Sequence, residues 1–237
     1  MAFIVAKTKS TPISDYKSLN VLIYGSPGVG KTTLASCIDI GGSAYVFDME
    51  GSSKCLSNFN TLVNSFEDYK EGVEWACKQK DHQHIVIDTI DILYKLCEDY
   101  VCRLNKLPNM AAFPFGSGYS AMNKFLFDSF KKMNDAGLGI TFISHEATKE
   151  MSADASGTIK WTTSATSLSD KFETKIAGLC DLVLFCYKDR DGKRFIRTES
   201  TKSHKCPKDR TGKLPPILPM EKDGKSLILA LNKKQNV

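Results

Sequence analysis

Hydrophobic residues along this chain gather in short apolar runs that alternate with longer amphipathic stretches. Five runs predict buried strands, at residues 21–24, 44–47, 85–87, 140–143 and 182–185. Between the strands, apolar residues recur at helical spacing around residues 66–80, 90–104 and 119–134. Strands that alternate with helices predict an α/β fold, in which helices cover both faces of a mainly parallel central sheet.

The C-terminal part of the chain departs from this alternation. Asp191-Gly192 separates the fifth run from an apolar stretch at residues 194–197, which predicts a C-terminal β-hairpin extension. Residues 226–230 fit either a last strand or a short helix. Residues 147–171 are polar, rich in Ser and Thr and without periodicity, which predicts a long loop.

Length and composition fit a single globular domain over residues 1–237. Within it we expect an N-terminal extension over residues 1–17, and a basic hairpin and C-terminal strand region over residues 188–237. Hydrophobic residues make up 42% of the chain and charged residues 25%, as in ordinary soluble proteins. Lys7 interrupts the apolar start too early for a signal peptide, so we expect a cytoplasmic protein without a membrane partner.

Eight cysteines are scattered through the chain without any C-x-x-C pair. Five of them lie in apolar patterns, where a thiol packs as a small hydrophobic group: Cys37, Cys55, Cys97, Cys180 and Cys186. We therefore expect reduced, buried thiols rather than a metal site or disulfides.

The stretch from Gly25 to Thr33 fits the phosphate-binding loop G-x-x-x-x-G-K-[ST] at every fixed position. The preceding strand and a helix that leads out from Thr33 supply the context that this motif requires. Glycines let backbone N–H groups turn towards a phosphate, Lys31 reaches the β- and γ-phosphates, and the Thr32 hydroxyl ligates Mg²⁺. The residues that we expect to bind ATP are Gly25, Ser26, Pro27, Gly28, Val29, Gly30, Lys31, Thr32 and Thr33. The alternative is a glycine-rich turn that matches by chance.

Two acidic residues at strand ends complete the predicted chemistry. Asp88 follows a hydrophobic strand, as the second Mg²⁺-site acid of phosphate-loop enzymes does, although an N-cap role is the alternative. ATPases of the broad AAA+ type place a glutamate directly after this Asp, whereas this chain has Thr89. Glu50, at the end of the adjacent strand, is then the candidate that activates water. Its alternative role is a solvated turn residue before Gly51.

Four stretches occur in the order and spacing of the RecA-like ATPases, at residues 25–33, 48–51, 85–89 and 143–146. More narrowly, the chain resembles the short RecA-like ATPases of bacteriophages, which are associated with single-strand annealing and recombination. Phe115-Gly116-Ser117-Gly118-Tyr119 resembles the helix entry of that group. The segment from Cys206 to Pro215 resembles its K-D-R-T-G-x-L-P signature. The similarity spans roughly residues 18–220.

This resemblance implies roles for further residues. His145 matches the polar residue that senses the γ-phosphate, which is a glutamine in RecA itself; a histidine satisfied by backbone groups is the alternative. Residues 147–171 match a segment that contacts single-stranded DNA, and residues 105–119 are the other candidate contact. Charges and stacking surfaces in the two loops come from Lys149, Lys160, Trp161, Lys171, Lys106, Phe113 and Phe115. The alternative for both loops is a mobile lid without DNA.

The resemblance also implies a role for Lys208 and Arg210, which lie in a strongly basic segment. In RecA-like assemblies a basic pair here reaches the γ-phosphate bound by the neighbouring subunit. The net charge is only +5, but ten Lys/Arg stand against four Asp/Glu between Lys188 and Lys213. A solvated surface hairpin is the alternative explanation.

Together these patterns predict an ATP- and Mg²⁺-dependent RecA-like ATPase that binds single-stranded DNA in phage recombination or annealing. Expected partners are single-stranded DNA, further copies of the chain in a ring or filament, and a single-strand binding protein. Two other functions stay open: a phosphate-loop kinase that acts on a nucleoside or nucleotide, and an ATP-binding switch that acts through a protein partner.

Overall fold

The computed structural model describes residues 15–37, 44–81, 83–152 and 160–233. Its strands within these ranges are β1 Asn20–Gly25, β2 Ala44–Asp48, β3 Phe59–Leu62, β4 His84–Asp88, β5 Gly139–Ser152, β6 Lys160–Thr166, β7 Leu182–Lys188, β8 Arg194–Arg197, β9 Lys208–Asp209 and β10 Ile217–Pro219. Its α-helices are α1 Lys31–Cys37, α2 Phe66–Ala76, α3 Ile90–Leu104, α4 Ser117–Asp135, α5 Asp170–Leu179 and α6 Lys225–Asn232.

The strands form one sheet in the order β10-β8-β7-β1-β5-β4-β2-β3, with β6 paired to β5 and β9 to β7. The six strands from β7 to β3 in that order run parallel, whereas β8, β10, β6 and β9 pair antiparallel. The predicted α/β fold with a mainly parallel sheet and a C-terminal hairpin is therefore confirmed. The strand β1, which carries the phosphate-binding motif, lies in the middle of this sheet.

Helices cover both faces of the sheet because its strands are apolar on both sides. Leu22 and Tyr24 of β1 belong to a core that α2, α3, α4 and α5 cover. Val21 and Ile23 point to the opposite core, which α1 and α6 cover. The alternation of side chains along a strand thus explains why the central runs are continuously hydrophobic.

The prediction of a long loop over residues 147–171 is wrong. β5 continues beyond the sheet to Ser152 and pairs with β6 from Glu146↔Thr166 to Ser152↔Lys160. We call these two paired segments the ribbon. Only Thr163, Ala165 and Thr166 of this ribbon are buried, so it needs no apolar run, and its threonines favour extended backbone. The remainder of the predicted loop includes the first turn of α5, and residues 153–159 lie outside the described residues.

Residues 226–230, for which a last strand and a short helix were both open, form a helix, so the C-terminal strand region is corrected there. These residues lie in α6, whose buried side chains Leu227, Ala230 and Leu231 follow helical spacing. Strand β10 precedes this helix and pairs with β8 instead. The short predicted run was compatible with both periods, and tertiary packing selected the helix.

Three smaller expectations have mixed outcomes. Most of the N-terminal extension lies outside the described residues, although Tyr16 begins a short 3₁₀ turn and is buried. The described cysteines are free thiols; Cys97, Cys180 and Cys186 are buried as expected, but Cys55 is exposed. Among the described residues, no helix has the length and apolar character to cross a membrane.

Candidate nucleotide site

The phosphate-binding loop joins β1 to α1 at the carboxyl end of the central strand. Gly25 is required there, because an added Cβ would lie 2.1 Å from the Cys186 carbonyl oxygen on β7. Lys31 Nζ donates hydrogen bonds to the carbonyl oxygens of Gly25 (2.8 Å) and Ser26 (3.3 Å). Lys31 is 7% exposed, and burial lowers the pKa of its ammonium group. The lysine charge is therefore held inside the turn of the loop.

Three oxygen-bearing side chains meet beside the loop. The hydroxyls of Thr32 and Ser52 donate to Asp88 Oδ2, over 2.8 and 2.9 Å. Asp88 Oδ1 is buried and has no hydrogen-bond partner among the described residues. Burial raises the pKa of Asp88, and the hydrogen bonds from Thr32 and Ser52 partly offset this rise.

This donor set fits Mg²⁺, which prefers oxygen ligands and takes few of them from a protein when phosphates supply others. Thr32 and Asp88 would hold the ion, as the motif predicts. A buried carboxylate oxygen without a partner is costly unless a ligand occupies it. The described residues contain no group of three or more His, Cys, Asp or Glu that could bind a metal ion.

Asp48 explains how Glu50 is placed. Strands β2 and β4 pair with Asp48 opposite Asp88, so both strands end at the same edge of the sheet. The buried Asp48 carboxylate accepts hydrogen bonds from four backbone N–H groups, those of Glu50, Gly51, Ser52 and Ser53. A turn fixed in this way places Ser52 against Asp88 and Glu50 against His145.

The structure brings Glu50 and His145 into direct contact. His145 Nε2 lies 2.6 Å from Glu50 Oε1, and the Thr89 hydroxyl donates to the same oxygen over 3.5 Å. Because the carboxylate can only accept, the imidazole donates from Nε2. Two residues that were predicted for separate roles therefore form one acid–base pair. Its side chains are partly exposed, so water can reach it.

Asp91 and Glu146 belong to the site but were not among the predicted site residues. The Asp91 carboxylate accepts hydrogen bonds from Ser144 Oγ (3.1 Å), from the His145 N–H (3.3 Å) and from Ser167 Oγ. It fixes the strand end from which His145 projects. The only sequence signal for Asp91 was its position three residues after Asp88, in the first turn of α3.

Glu146 connects the phosphate-binding loop to the ribbon. Its carboxylate accepts hydrogen bonds from Ser26 Oγ in the loop and from Ser164 Oγ in β6, the latter over 2.6 Å. The ribbon is thus attached to the nucleotide site by a side chain as well as by the continuous strand β5.

The predicted DNA-contacting side chains of the ribbon have different surroundings. Lys149 Nζ donates to the Leu168 carbonyl oxygen (2.8 Å), Asp170 (2.9 Å) and Glu173 (3.1 Å). It ties the ribbon to α5 and is not a free charge. Lys160 is exposed and pairs loosely with Glu150 (3.7 Å).

Trp161 and Lys171 complete the predicted set on this side. The Trp161 indole N–H donates to the Lys202 carbonyl oxygen over 3.1 Å, and the Lys202 ammonium lies 5.1 Å from the ring centroid. Lys171 is exposed on α5. The Trp161 ring therefore already makes a cation–π contact with Lys202, whereas the Lys171 side chain is accessible to a ligand.

The second candidate loop, residues 105–119, exposes one aromatic ring and partly buries another. Phe115 is fully exposed and has a φ of +53°. Phe113 instead packs on Gly118, where an added Cβ would lie 2.7 Å from the ring. Lys106 is exposed. Phe115 and Lys171, which were predicted in separate loops, line the same groove between α3, α4 and α5.

Lys208 and Arg210 lie at the opposite end of the sheet from the phosphate-binding loop. β9 pairs with the first residues of β7, whereas the loop lies beside Cys186, further along that strand. Lys208 Nζ donates to the Ala177 carbonyl oxygen, and burial lowers its pKa. Arg210 donates to Asp181 (3.1 Å) and to the Gly178 carbonyl oxygen (2.9 Å). Both side chains therefore hold the end of α5.

Comparison with known proteins places this site in a family. The AAA domain family matches residues 17–211. The crystal structure of the RadB recombinase is similar to this chain at 14% identity and a TM-score of 0.46, over 88% of this chain and 90% of that one. No curated protein matches the chain.

Proposed function

The chain belongs to the AAA domain family, and from that premise we propose that it is an ATP- and Mg²⁺-dependent, RecA-like ATPase of phage recombination or single-strand annealing. One observation carries this proposal. The phosphate-binding loop, the Thr32–Asp88 pair and the Glu50–His145 pair converge at one edge of the sheet. Nucleotide binding, metal binding and activation of water need these three sets of groups together.

In the proposed reaction, Lys31 and the loop N–H groups hold the phosphates. Mg²⁺, when bound, would neutralise the charge that develops on them. Glu50 accepts a proton from the attacking water, and its hydrogen bond to His145 orients the carboxylate for this step. Since His145 continues directly into the ribbon, movement of the pair would reach the DNA-binding region.

Support for the nucleic-acid part comes from the groove between α3, α4 and α5. Phe115 offers an exposed ring for stacking on a base, and Lys171 and Lys175 offer charges for phosphates. Single-stranded DNA is thus the proposed polymer ligand, with self-association into a ring or filament. A single-strand binding protein in the cytoplasm of the host remains the proposed partner.

Steady-state ATP hydrolysis tests this function, with and without single-stranded DNA and over a range of protein concentrations. Stimulation by DNA that rises more than linearly with protein would support cooperative assembly. Flat, DNA-independent turnover would contradict the recombination function. Phosphate transfer to a nucleoside or nucleotide would instead identify a kinase.

Lys31→Ala is the matching variant for the ATPase itself. It removes the buried charge beside the phosphates, so we expect turnover to be abolished, with Lys80→Ala at an exposed lysine as the control. Unchanged hydrolysis by Lys31→Ala would refute the assignment of the site.

A further inference from the structure

Arg194 and Met220 lie directly beside the phosphate-binding loop, although no sequence motif marks them. At Gly30, an added Cβ would lie 3.6 Å from Met220 Cε and 3.9 Å from Arg194 Nε. The two residues are neighbours, because the Met220 N–H donates to the Arg194 carbonyl oxygen over 3.0 Å. Arg194 begins β8, and Met220 follows β10.

The strand order indicates which end of the nucleotide they face. Strands β5, β4 and β2 lie on one side of β1, and at the level where β1 ends they carry His145, Asp88 and the Glu50 turn. These groups serve the γ-phosphate. Strands β7, β8 and β10 lie on the other side of β1. A nucleotide laid across the loop therefore directs its α-phosphate and nucleoside towards Arg194 and Met220.

The chemistry of both side chains suits that end. Arg194 is exposed, and no carboxylate pairs with its guanidinium in the part of the chain that the structure describes. A guanidinium is always charged and binds phosphate through a planar set of donors. Met220 is half-buried against the second core, and its thioether can follow the shape of an aromatic ring.

We infer that Arg194 and Met220 form the nucleoside-side wall of the site, where the guanidinium binds the α-phosphate and the thioether packs on the base. This inference rests on the proposed function, since it assumes a nucleoside di- or triphosphate. It assigns Arg194 to binding within its own subunit, in contrast to the proposed role of Lys208 and Arg210 across a subunit boundary.

Calorimetric titration of the full chain with Mg-ADP and Mg-ATP tests the inference. We expect Arg194→Ala to weaken the binding of both nucleotides by about tenfold, the loss of one charge-assisted contact, and to raise the KM for ATP by a similar factor. The control is Arg190→Ala, at the exposed turn of the same hairpin, which should bind as wild type. Met220→Ala should weaken ADP but leave inorganic triphosphate binding unchanged.

The outcomes separate this inference from the proposed function. Wild-type protein that binds neither nucleotide would remove the function itself. Wild-type protein that binds ADP, together with an Arg194→Ala variant that binds it equally well, would overturn only the inference. A tenfold loss of kcat without any loss of ADP affinity would also overturn it, because it would place Arg194 at the γ-phosphate.

Discussion

At the scale of single residues, the contact between Glu50 and His145 defines what the site can do. A carboxylate that takes a proton from water must be ionised and correctly oriented. The hydrogen bond from His145 Nε2, 2.6 Å from Glu50 Oε1, orients the Glu50 carboxylate. The Asp48 turn fixes the backbone of Glu50, while Asp91 fixes that of His145. The pair is therefore held from both sides by carboxylates that bind backbone N–H groups.

Glu50→Gln should remove this chemistry and leave binding intact. The amide keeps the shape of the carboxylate but cannot accept the proton of the water, so we expect kcat to fall by about 10²–10⁴. Single-turnover hydrolysis measures the loss, and titration with ATP should give a wild-type affinity. Glu67→Gln, at a surface ion pair with Arg103, is the control. Equal turnover in both variants would remove Glu50 from the reaction.

A second prediction concerns His84 and the pH dependence of the free energy of unfolding. His84 is fully buried, and its Nδ1–H donates to the Lys17 carbonyl oxygen over 3.1 Å while Nε2 accepts from the Thr141 hydroxyl over 2.7 Å. Burial lowers the pKa of His84 to about 4. In the unfolded chain the pKa is near the ordinary value of about 6.5, so the unfolded state binds more protons between these two values.

The contribution of His84 to the free energy of unfolding is therefore fully present above pH 6.5 and is lost as the pH falls towards 4. The full loss is roughly 3 kcal/mol, at about 1.4 kcal/mol for each pKa unit. Urea unfolding at a series of pH values measures it. His84→Gln should be less stable at pH 7, but its free energy of unfolding should fall less steeply on acidification. Parallel curves for the two proteins would show that His84 does not carry this dependence.

Sequence motifs identified the residues whose roles follow from type and position. Lys31, Thr32 and Asp88 stand at fixed places relative to a strand, and the structure brings them together as expected. Asp91 and Glu146 were missed because their partners, Ser167 and Ser164, come from elements distant in sequence. Hydrogen bonds across such separations leave no local pattern.

At the scale of elements, the ribbon shows why a polar stretch was misread. Most of its side chains are exposed or half-buried, so its strands lack the apolar run that marks a buried strand. They are held instead by backbone pairing and by Lys149, which reaches α5. Helix α3 packs against the core, and it was predicted with its observed bounds because its apolar residues recur at regular helical spacing.

Lys149 and Lys171 should behave differently, although both were predicted to contact DNA. The Lys149 side chain is 17% exposed and its partner Glu173 only 3%, so Lys149→Ala leaves a buried carboxylate without its cation. We expect a loss of about 1–3 kcal/mol in the free energy of unfolding. Lys171→Ala should fold normally and bind labelled single-stranded DNA more weakly, with a smaller salt dependence.

Urea unfolding and fluorescence anisotropy separate the two effects. A Lys149→Ala variant as stable as wild type would contradict the structural role of Lys149. A Lys171→Ala variant that binds DNA with unchanged affinity and salt dependence would contradict the DNA contact of Lys171. Lys175→Ala, on the same helix and in the same groove, provides an additional test of the DNA contact.

At the scale of the whole molecule, the phosphate-binding loop and the basic pair Lys208 and Arg210 lie at opposite ends of the sheet. The nucleotide site lies at the carboxyl edge, and Lys208 and Arg210 lie near the amino end of β7. One subunit cannot bring both to a single nucleotide. A head-to-tail assembly can, since it joins opposite surfaces of successive copies. The alternation of strands and helices predicted the sheet. The position of this basic pair depends on the order of the strands in the sheet, which no local sequence pattern indicates.

Mixing two inactive variants tests whether the basic pair acts across a subunit boundary. A Lys208→Ala/Arg210→Ala variant keeps an intact site, and Glu50→Gln keeps an intact basic pair. In a random head-to-tail assembly about one interface in four joins the intact site to the intact pair, so mixing should restore about a quarter of the activity. Glu50→Gln mixed with Lys31→Ala is the control, because both changes disable the same site and no interface can be rescued. Absence of rescue from folded, ATP-binding variants would leave Lys208 and Arg210 with the role that their hydrogen bonds indicate, which is to hold the end of α5.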